Sequence, residues 1–487
     1  MRAIRKVLVA NRGEIACRVI RTLREMGIAS LAVHSDVDRD APHVWMADEA
    51  VGLGAPRSYL DATLIITAGQ RAGASAVHPG YGFLAENAQF AAACEDAGLV
   101  FIGPSPAAMR ALGDKRAARK AAEDIGVPVV PGARQCDSPD AAAAAADRVG
   151  YPVLIKAAGG GGGKGMRRVH SREEIKEAFA GARREAHAAF SDDRLLVEKY
   201  IHPARHVEVQ ILGDGVGAVA LGERECSLQR RYQKVIEESP SPGIDARTRS
   251  RLCEAAVKLA AATGYANAGT VEFLVGPDGA FYFLEVNTRL QVEHPVTEAV
   301  TGLDLVRSQI EIASGGALPV PPDPRGHAIE ARLNAEDPYS QFLPSTGKIL
   351  MLDWPTRPQT RIDSGIVQGS EVHPFYDSLL AKIICWGQDR EQARRRLVTA
   401  LRETTILGVH TSQAFIIQLL ESEELRSGAT HTTTIESRSW EPAAVPAEVL
   451  QLAARSAHTP AVLRTAGGAL CDQYSPWHAL GGFRMGA

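Results

Sequence analysis

The sequence predicts a multidomain α/β protein whose C-terminal part turns to α+β. Three observations carry that prediction. The chain has 487 residues, enough for two to four domains with ample core. Short apolar strands alternate with amphipathic helices over the first quarter of the chain, the pattern of a parallel, doubly wound sheet. A proline-rich stretch at 319–324 then separates a β-rich middle from a further mixed region.

The first element is the apolar run Val7-Leu8-Val9-Ala10. The helix after it places Ile15, Val19, Ile20 and Leu23 on one face and stops at Gly27. Strands are expected at 30–34, 74–78 and 99–102, with a helical stretch at 86–97. The first turn reads Ala10-Asn11-Arg12-Gly13-Glu14 and lacks GxGxxG, which disfavours a nicotinamide or flavin site. This Rossmann-like domain is assigned to 1–114.

The second domain is assigned to 115–320, with a lid subdomain at about 131–203. It opens with an alanine-rich helix at 139–148 and a β-rich stretch at 151–170 interrupted by five consecutive glycines. Strands are expected at 194–200, 206–212 and 218–223, a helix at 247–262, and a hairpin at 270–287. A third domain, 325–440, is expected to contain strands at 326–333 and 347–352 and a helix at 390–402. Residues 441–487 form a tail without core periodicity.

Composition excludes several classes. Hydrophobic residues make up 45% and charged residues 23%, as in ordinary soluble globular proteins. The formal charge, 54 − 57 = −3, argues against a basic nucleic-acid binder. No apolar run approaches a membrane span, and the N-terminus lacks a cleavage site. Seven scattered cysteines without a CxxC pair offer neither a disulfide framework nor a structural zinc site. A reduced, cytoplasmic protein is expected.

Three constellations can carry chemistry. In the first, the strand Tyr151-Pro152-Val153-Leu154-Ile155 delivers Lys156 to its end, and Gly159, Gly160, Gly161, Gly162, Gly163, Lys164 and Gly165 follow. Glycines let backbone N–H groups approach phosphate oxygens. Lys164 is followed by glycine rather than Ser or Thr, so this is no Walker loop. Such a run also suits a linker, but its place directly after a buried strand favours a mobile phosphate lid.

The second is the hairpin 270–287. With Gly276-Pro277-Asp278-Gly279 as the turn, Val275 faces Ala280 and Glu272 faces Phe283. Glu285 then lies one diagonal step from Glu272, within roughly 7–8 Å, and shares its face with Asn287, Leu274, Phe281 and Phe283. Val271, Phe273, Val275, Leu284 and Val286 occupy the opposite face. Two carboxylates in such surroundings need a cation, and hard oxygen ligands suit Mg²⁺ or Mn²⁺.

The third is Asn287-Thr288-Arg289-Leu290-Gln291-Val292-Glu293-His294. Arg289 presents a planar fork to a small oxyanion, Gln291 adds an amide, and Glu293 offers a carboxylate base. Arg230, Arg231 and Lys234 add cations upstream, a run that elsewhere is usually a solvated face. His294 reads as a structural histidine.

At these residues the sequence resembles biotin carboxylases, the ATP-grasp components of acetyl-, propionyl- and methylcrotonyl-CoA carboxylases and of pyruvate carboxylase. The matching segments include VANRGEIACR, HPGYGFLAEN, YPVLIKAAGGGGGKGM, RHVEVQ, ECSLQRRYQKVIEE, FLEVNTRLQVEHPVTE and GHAIEARLNAEDP. The resemblance implies a pre-ATP-grasp domain, an ATP-grasp domain with a glycine-rich lid and a C-terminal biotin carboxylase domain. It implies that ATP phosphorylates bicarbonate to carboxyphosphate, which delivers CO₂ to the ureido nitrogen of biotin.

The family likeness assigns Lys115, Lys156 and Gly159 to Gly165 to the ATP phosphates. Glu198, Lys199 and Ile201 would form the adenine side, with His206 and Gln229 near the ribose. Glu272, Glu285 and Asn287 would hold Mg²⁺ or Mn²⁺. Lys234, Arg289, Gln291 and the Val292 backbone would bind bicarbonate, with Glu293 as its base. Arg332 would stabilise the biotin enolate, and Tyr81 would border the biotin ring. Tyr232 stands where many relatives carry histidine, and no adenine contact is assigned to 427–436.

Implied partners are a biotin carboxyl carrier, a carboxyltransferase subunit and a second copy of the chain. Ser475-Pro476-Trp477 and Gly482-Phe483-Arg484-Met485 resemble the opening of the middle domain of long acyl-CoA carboxylase α chains. The sequence has no Met-Lys-Met, and its last lysine is Lys382. Biotin is therefore expected as a free ligand or on another chain. The first half-reaction of an acyl-CoA carboxylase is the leading reading, with the corresponding part of pyruvate carboxylase as the alternative. A purine-precursor ligase of the same fold is opposed by RLQVEHPVTE. A non-catalytic scaffold is opposed by the presence of Lys156, Arg289, Glu293 and Arg332.

Overall fold

The computed structural model describes residues 4–157, 165–190, 192–442, 444, 447 and 451. The glycines Gly159 to Gly163, Lys164 and the carboxylase-like tail motifs at 475–485 lie outside them. Contacts divide the chain into a unit ending at Glu441 and one beginning at Pro442. The sheets and the helices packed on them belong to the first unit.

The N-terminal layer is a five-stranded parallel sheet. Its strands are β1 (Lys6–Val9), β2 (Ala29–Ser35), β3 (Glu49–Gly54), β4 (Ala76–His78) and β5 (Val100–Phe101), in the order β3-β2-β1-β4-β5. Helix α1 (Gly13–Glu25) buries Ile15, Val19, Ile20 and Leu23, the face that the spacing predicts. The edge strand β3 has no counterpart among the expected strands; its GLG ending and exposed residues hide the alternation that marks a strand. The expected helix at 86–97 runs Ala88–Asp96, because the Asn87 side chain accepts from the backbone N–H groups of Gln89 and Phe90 and caps it there. Glu86 is thereby left outside the helix.

A four-stranded sheet of β6 (Gly132–Cys136), β7 (Val153–Ala157), β8 (Arg167–Val169) and β9 (Leu195–Lys199) follows in the order β6-β9-β7-β8. Helices α2 (Pro139–Val149) and α3 (Ile175–Phe190) contribute alanines to its core. β7 is buried throughout, as a strand delivering a lysine to a cleft requires.

The main sheet has eight strands. They are β10 (Arg205–Asp214), β11 (Ala218–Arg230), β12 (Gln233–Ser239), β13 (Ala266–Val275), β14 (Phe281–Asn287), β15 (His327–Asn334), β16 (Thr360–Ser364) and β17 (Leu379–Gly387). Their order is β14-β13-β10-β11-β12-β15-β17-β16. The pairing of β12 with β15 carries one sheet across the proline-rich link, so the middle and C-terminal regions share a single floor. Helices α4 (Ala246–Ala262), α5 (His294–Thr301) and α6 (Arg390–Glu403) pack against it.

Two expectations change here. The stretch 347–352 is two short strands, Gly347–Lys348 and Met351–Asp353, which pair with different partners. The cationic run at 227–234 is a hairpin: Arg230 pairs with Gln233, and Arg231 and Tyr232 both take positive φ, 45° and 67°. Positive φ at both central residues is the two-residue hairpin geometry, here without the usual Asn-Gly signal. No helix among the described residues is long and apolar enough to cross a membrane.

Candidate active site

The β13–β14 hairpin corrects the register expected from sequence. Its connection is five residues long, 276–280, closed by Gly276 N–H donating to Ala280 O at 2.8 Å, so Val275 faces Phe281 and not Ala280. A bulge after the Phe273–Phe283 pair then places Glu272 directly opposite Glu285, rather than opposite Phe283. The extra residue also exchanges faces. Phe281 and Phe283 join Phe273 in the core, while Leu284 lines the cleft beside Leu274. The carboxylate pair is therefore tighter than a diagonal, and the aromatic rings stay dry behind it.

Above this hairpin lies a cleft of ≈ 1020 Å³. Among the residues that line it are Tyr81, Lys115, Lys156, Glu198, Lys199, Ile201, His206, Gln229, Lys234, Glu272, Glu285, Asn287, Arg289, Gln291, Val292 and Arg332. Glu293 is fully buried at its floor. Gly165 stands beyond the lining, at φ +71°, where a Cβ would meet Ala157 Cβ at 3.2 Å. The cavity thus brings together residues of the four-stranded sheet and the main sheet, with Tyr81 from the segment after β4.

At one end, Lys156 Nζ donates to Glu198 Oε2 at 2.6 Å, and Arg119 Nη1 donates to Glu198 Oε1 at 2.6 Å. Burial would raise the Glu198 carboxyl, but these two cations outweigh it and hold it below its ordinary value. Lys199 Nζ is committed to the backbone carbonyls of Gly150 and Tyr151, both at 2.9 Å. Lys115 Nζ lies 2.7 Å from Glu285 Oε2.

In the middle, Glu272 collects donors. Its Oε1 accepts from Lys234 at 2.8 Å, Asn287 at 2.9 Å and Gln291 at 3.1 Å, and its Oε2 faces His206 Nε2 at 3.1 Å. Burial would lower the His206 imidazole, yet Glu272 raises it above its ordinary value. The ligand atoms of His206, Glu208 and Glu272 lie within 4.8 Å of one another. Carboxylates from two facing strands, with an amide oxygen nearby, suit a hard divalent cation. Lys115 and Lys234 carry the positive charge these carboxylates require.

At the other end, Lys234 Nζ donates to Glu208 Oε2 at 2.5 Å, and to Glu293 Oε1 at 2.6 Å. The second oxygen of Glu293 accepts from Arg332 Nη2 at 2.9 Å. Burial alone would raise the Glu293 carboxyl; Lys234 and Arg332 outweigh it and hold it well below the usual carboxylate range. Arg289 spreads its fork over Glu86 Oε2 at 3.0 Å, Gln291 Oε1 at 2.8 Å and Asn287 Oδ1 at 3.2 Å. His294 is fully buried, with Nδ1 2.8 Å from Gln291 O, and burial pushes its imidazole well below its ordinary value. A neutral, structural histidine fits that position.

Several supporting residues escaped the sequence reading. Arg224, fully buried, donates to Glu208, Gln210, Thr297 and Thr270 and so fixes the carboxylate behind Lys234. Glu86 holds both Arg289 and the backbone N–H of Thr288. Lys382 Nζ donates to Val292 O at 2.7 Å and lies 3.2 Å from Glu14 Oε1, which also accepts from Tyr81 Oη. Thr432, Thr433 and Glu436 line the cleft as well, and Glu436 accepts from Arg231 N–H. A buried charge inside a strand such as RHVEVQ is the one signal that could have exposed Glu208, since it demands a partner.

Comparison with known proteins gives a consistent picture. Residues 3–109 match the family description "Biotin carboxylase, N-terminal domain", residues 114–320 "Carbamoyl-phosphate synthase L chain, ATP binding domain", and residues 330–437 "Biotin carboxylase C-terminal domain". A biotin carboxylase of Nostoc sp. is 49% identical over 439 residues, covering 88% of this chain and 98% of that protein. The mitochondrial methylcrotonoyl-CoA carboxylase subunit alpha of Rattus norvegicus is 49% identical over 442 residues, 89% of this chain; the match spans 62% of that subunit's length. Among solved structures, a biotin carboxylase–β-γ-ATP complex from Campylobacter jejuni superposes with a TM-score of 0.88 at 42% identity, covering 90% of this chain and 99% of that one. The biotin carboxylase domain dimer of the Hydrogenobacter thermophilus 2-oxoglutarate carboxylase, solved with MgADP, ADP and bicarbonate, gives 0.87 at 42% identity, with 91% and 100% covered.

Proposed function

The chain belongs to the biotin carboxylase family, and we propose that its cleft carries out the ATP-dependent carboxylation of biotin by bicarbonate through a division of labour among these residues. It is a ligase that uses ATP, Mg²⁺ and biotin. One observation carries the assignment: a single buried carboxylate, Glu293, is the shared partner of Lys234 and Arg332.

Lys115, Lys156 and the glycine run from Gly159 to Gly165 hold the ATP phosphates. Glu198, Lys199 and Ile201 border the adenine, with Lys199 acting through its backbone because its ammonium is engaged elsewhere. His206 and Gln229 lie toward the ribose. Glu272 and Glu285, with Asn287, would hold Mg²⁺ or Mn²⁺, which would supply charge neutralisation for the ATP phosphates.

Arg289, Gln291, the Val292 N–H and Lys234 hold bicarbonate. Glu293 removes its proton as a bicarbonate oxygen attacks the γ-phosphorus and ADP leaves, giving carboxyphosphate. The resting ion pairs make Glu293 a weak base; as Lys234 turns toward bicarbonate, the carboxylate regains basicity. Once protonated, Glu293 no longer balances Arg332, so the guanidinium becomes available for the biotin enolate beside Tyr81. Carboxyphosphate splits into CO₂ and phosphate, and the released phosphate takes the ureido N–H proton to give that enolate. The ureido nitrogen then bonds to CO₂, leaving hydrogen phosphate.

The domain assignment of 1–114, 115–320 and 325–440 belongs to this proposal. So do a biotin carrier and a carboxyltransferase as partners, a homodimer, and the first half-reaction of an acyl-CoA carboxylase. A reducing compartment, the cytoplasm, is supported by six free thiols among the described residues, five of them buried. Bicarbonate labelled with heavy oxygen tests the carboxyphosphate route. Label transferred to the released phosphate supports it, and unlabelled phosphate overturns it.

A further inference from the structure

Behind Arg332 the main sheet carries two carboxyl groups to which the carboxylation mechanism gives no task. Glu237 on β12 and Glu330 on β15 are direct cross-strand partners, and both are 0% exposed. Such partners have Cβ atoms about 4.5–5.5 Å apart. Glu237 Oε1 accepts from Arg332 Nε at 2.5 Å. Glu237 Oε2 and both oxygens of Glu330 are buried and accept from no protein donor.

The charged groups around the pair are Arg332 on β15, Lys234 on β12, Glu293 before α5 and Lys382 on β17. None of these cations donates to Glu330. Lys234 is held by Glu208, Glu272 and Glu293, and Lys382 by Val292 O and Glu14. Two ionised carboxylates in this arrangement would repel one another and leave three acceptor oxygens unsatisfied away from water. One proton removes the repulsion and pairs two of the three oxygens, since an acid at Glu330 can donate to the free oxygen of Glu237 while Glu237 keeps its charge for Arg332.

We propose that Glu330 carries a proton, donates it in a hydrogen bond to Glu237 Oε2, and through Glu237 fixes the orientation in which Arg332 meets biotin. Glu330 is thus a positioning residue for the second half-step, an inference that rests on Arg332 serving the biotin enolate. Burial supports it: it pushes the Glu330 carboxyl well above its ordinary value and that of Glu237 up to about 7, despite the Arg332 guanidinium beside it. Loss of the shared proton at alkaline pH sets Glu330 against Glu237 and loosens Arg332.

Three measurements on the full chain test this. Infrared difference spectra of the parent against Glu330→Gln at neutral pH should show one protonated carboxyl band lost; no lost band overturns the proposal whatever the enzyme's activity. Glu330→Met, which keeps the volume but not the donor, should lower free-biotin carboxylation roughly tenfold. Its bicarbonate-dependent ATP cleavage and KM for ATP should stay within about twofold of the parent. Glu330→Gln, whose amide still donates, should restore the biotin rate and carry it to higher pH than the parent. Equal losses in both half-steps for Glu330→Met, or the same alkaline decline in Glu330→Gln and parent, would overturn the inference. Failure of the carboxylase reading looks different, because the parent itself would then show no dependence on bicarbonate.

Discussion

Lys234 and Glu293 meet at 2.6 Å on the floor of the cleft, and the same ammonium also binds Glu208 and Glu272. A lysine shared by three carboxylates is held far above its ordinary range, because their attraction exceeds the cost of burial. It is therefore charged at any working pH. Its function is to apportion that charge, first to the carboxylates and then to the incoming anion. Arg332 stands in the same relation to Glu293 and Glu237, so Lys234 and Arg332 are coupled through one base.

Glu293→Gln should lower the bicarbonate-dependent rate by roughly 10²–10⁴-fold, the usual contribution of a positioned base. The change preserves shape, so KM for ATP should hardly move. Steady-state kinetics at saturating bicarbonate checks this, and a parental rate would remove Glu293 from the role of base.

Arg332→Ala should damage biotin carboxylation more than bicarbonate-dependent ATP cleavage, since its charge is needed where enolate charge develops. It should also leave a mark on the first half-step. Arg332 helps to hold the Glu293 carboxyl low, so its loss raises that pKa. A base must be deprotonated to act, and the acid limb of the bicarbonate-dependent rate should therefore move to higher pH. An unmoved limb would show that Arg332 does not tune Glu293.

Glu208→Ala removes the carboxylate between Arg224 and Lys234 and leaves a fully buried guanidinium with one fewer anion. Breaking a buried pair from one side costs about 3–5 kcal/mol. Thermal or denaturant unfolding should register a loss of that order, and a change within about 0.5 kcal/mol, as at ordinary surface positions, would contradict the network.

Chelation should abolish ATP cleavage, and Mg²⁺ or Mn²⁺ should restore it. Glu272→Gln and Glu285→Gln should each raise the metal concentration needed for half-maximal rate. Titration of Mg²⁺ at fixed ATP measures this, and an unchanged requirement in both variants would remove the hairpin from metal binding.

Much of this site is legible in the sequence, because its polar groups interrupt or close apolar runs. Lys156, which closes the apolar run Val153-Leu154-Ile155 of β7, and the acids within the hairpin strands are of that kind. The hairpin's register was not legible: a bulge of one residue turns a diagonal pair into a direct one, and apolar residues on both faces conceal it. The carboxylates Glu208, Glu237 and Glu330 were also hidden. Each lies inside a strand that reads as ordinary alternation, and only tertiary pairing reveals that its polar side is buried. The fold shows the same division. Local strand and helix patterns can be read along the chain, whereas the joining of β12 to β15 across the proline link depends on pairing between distant segments.

The central claim is that one cleft couples ATP, bicarbonate and biotin. It is tested most directly by measuring ATP cleavage by the purified chain in Mg²⁺ while bicarbonate is titrated, with and without free biotin. The account predicts turnover that requires bicarbonate and rises when biotin is added. Turnover indifferent to both would contradict it.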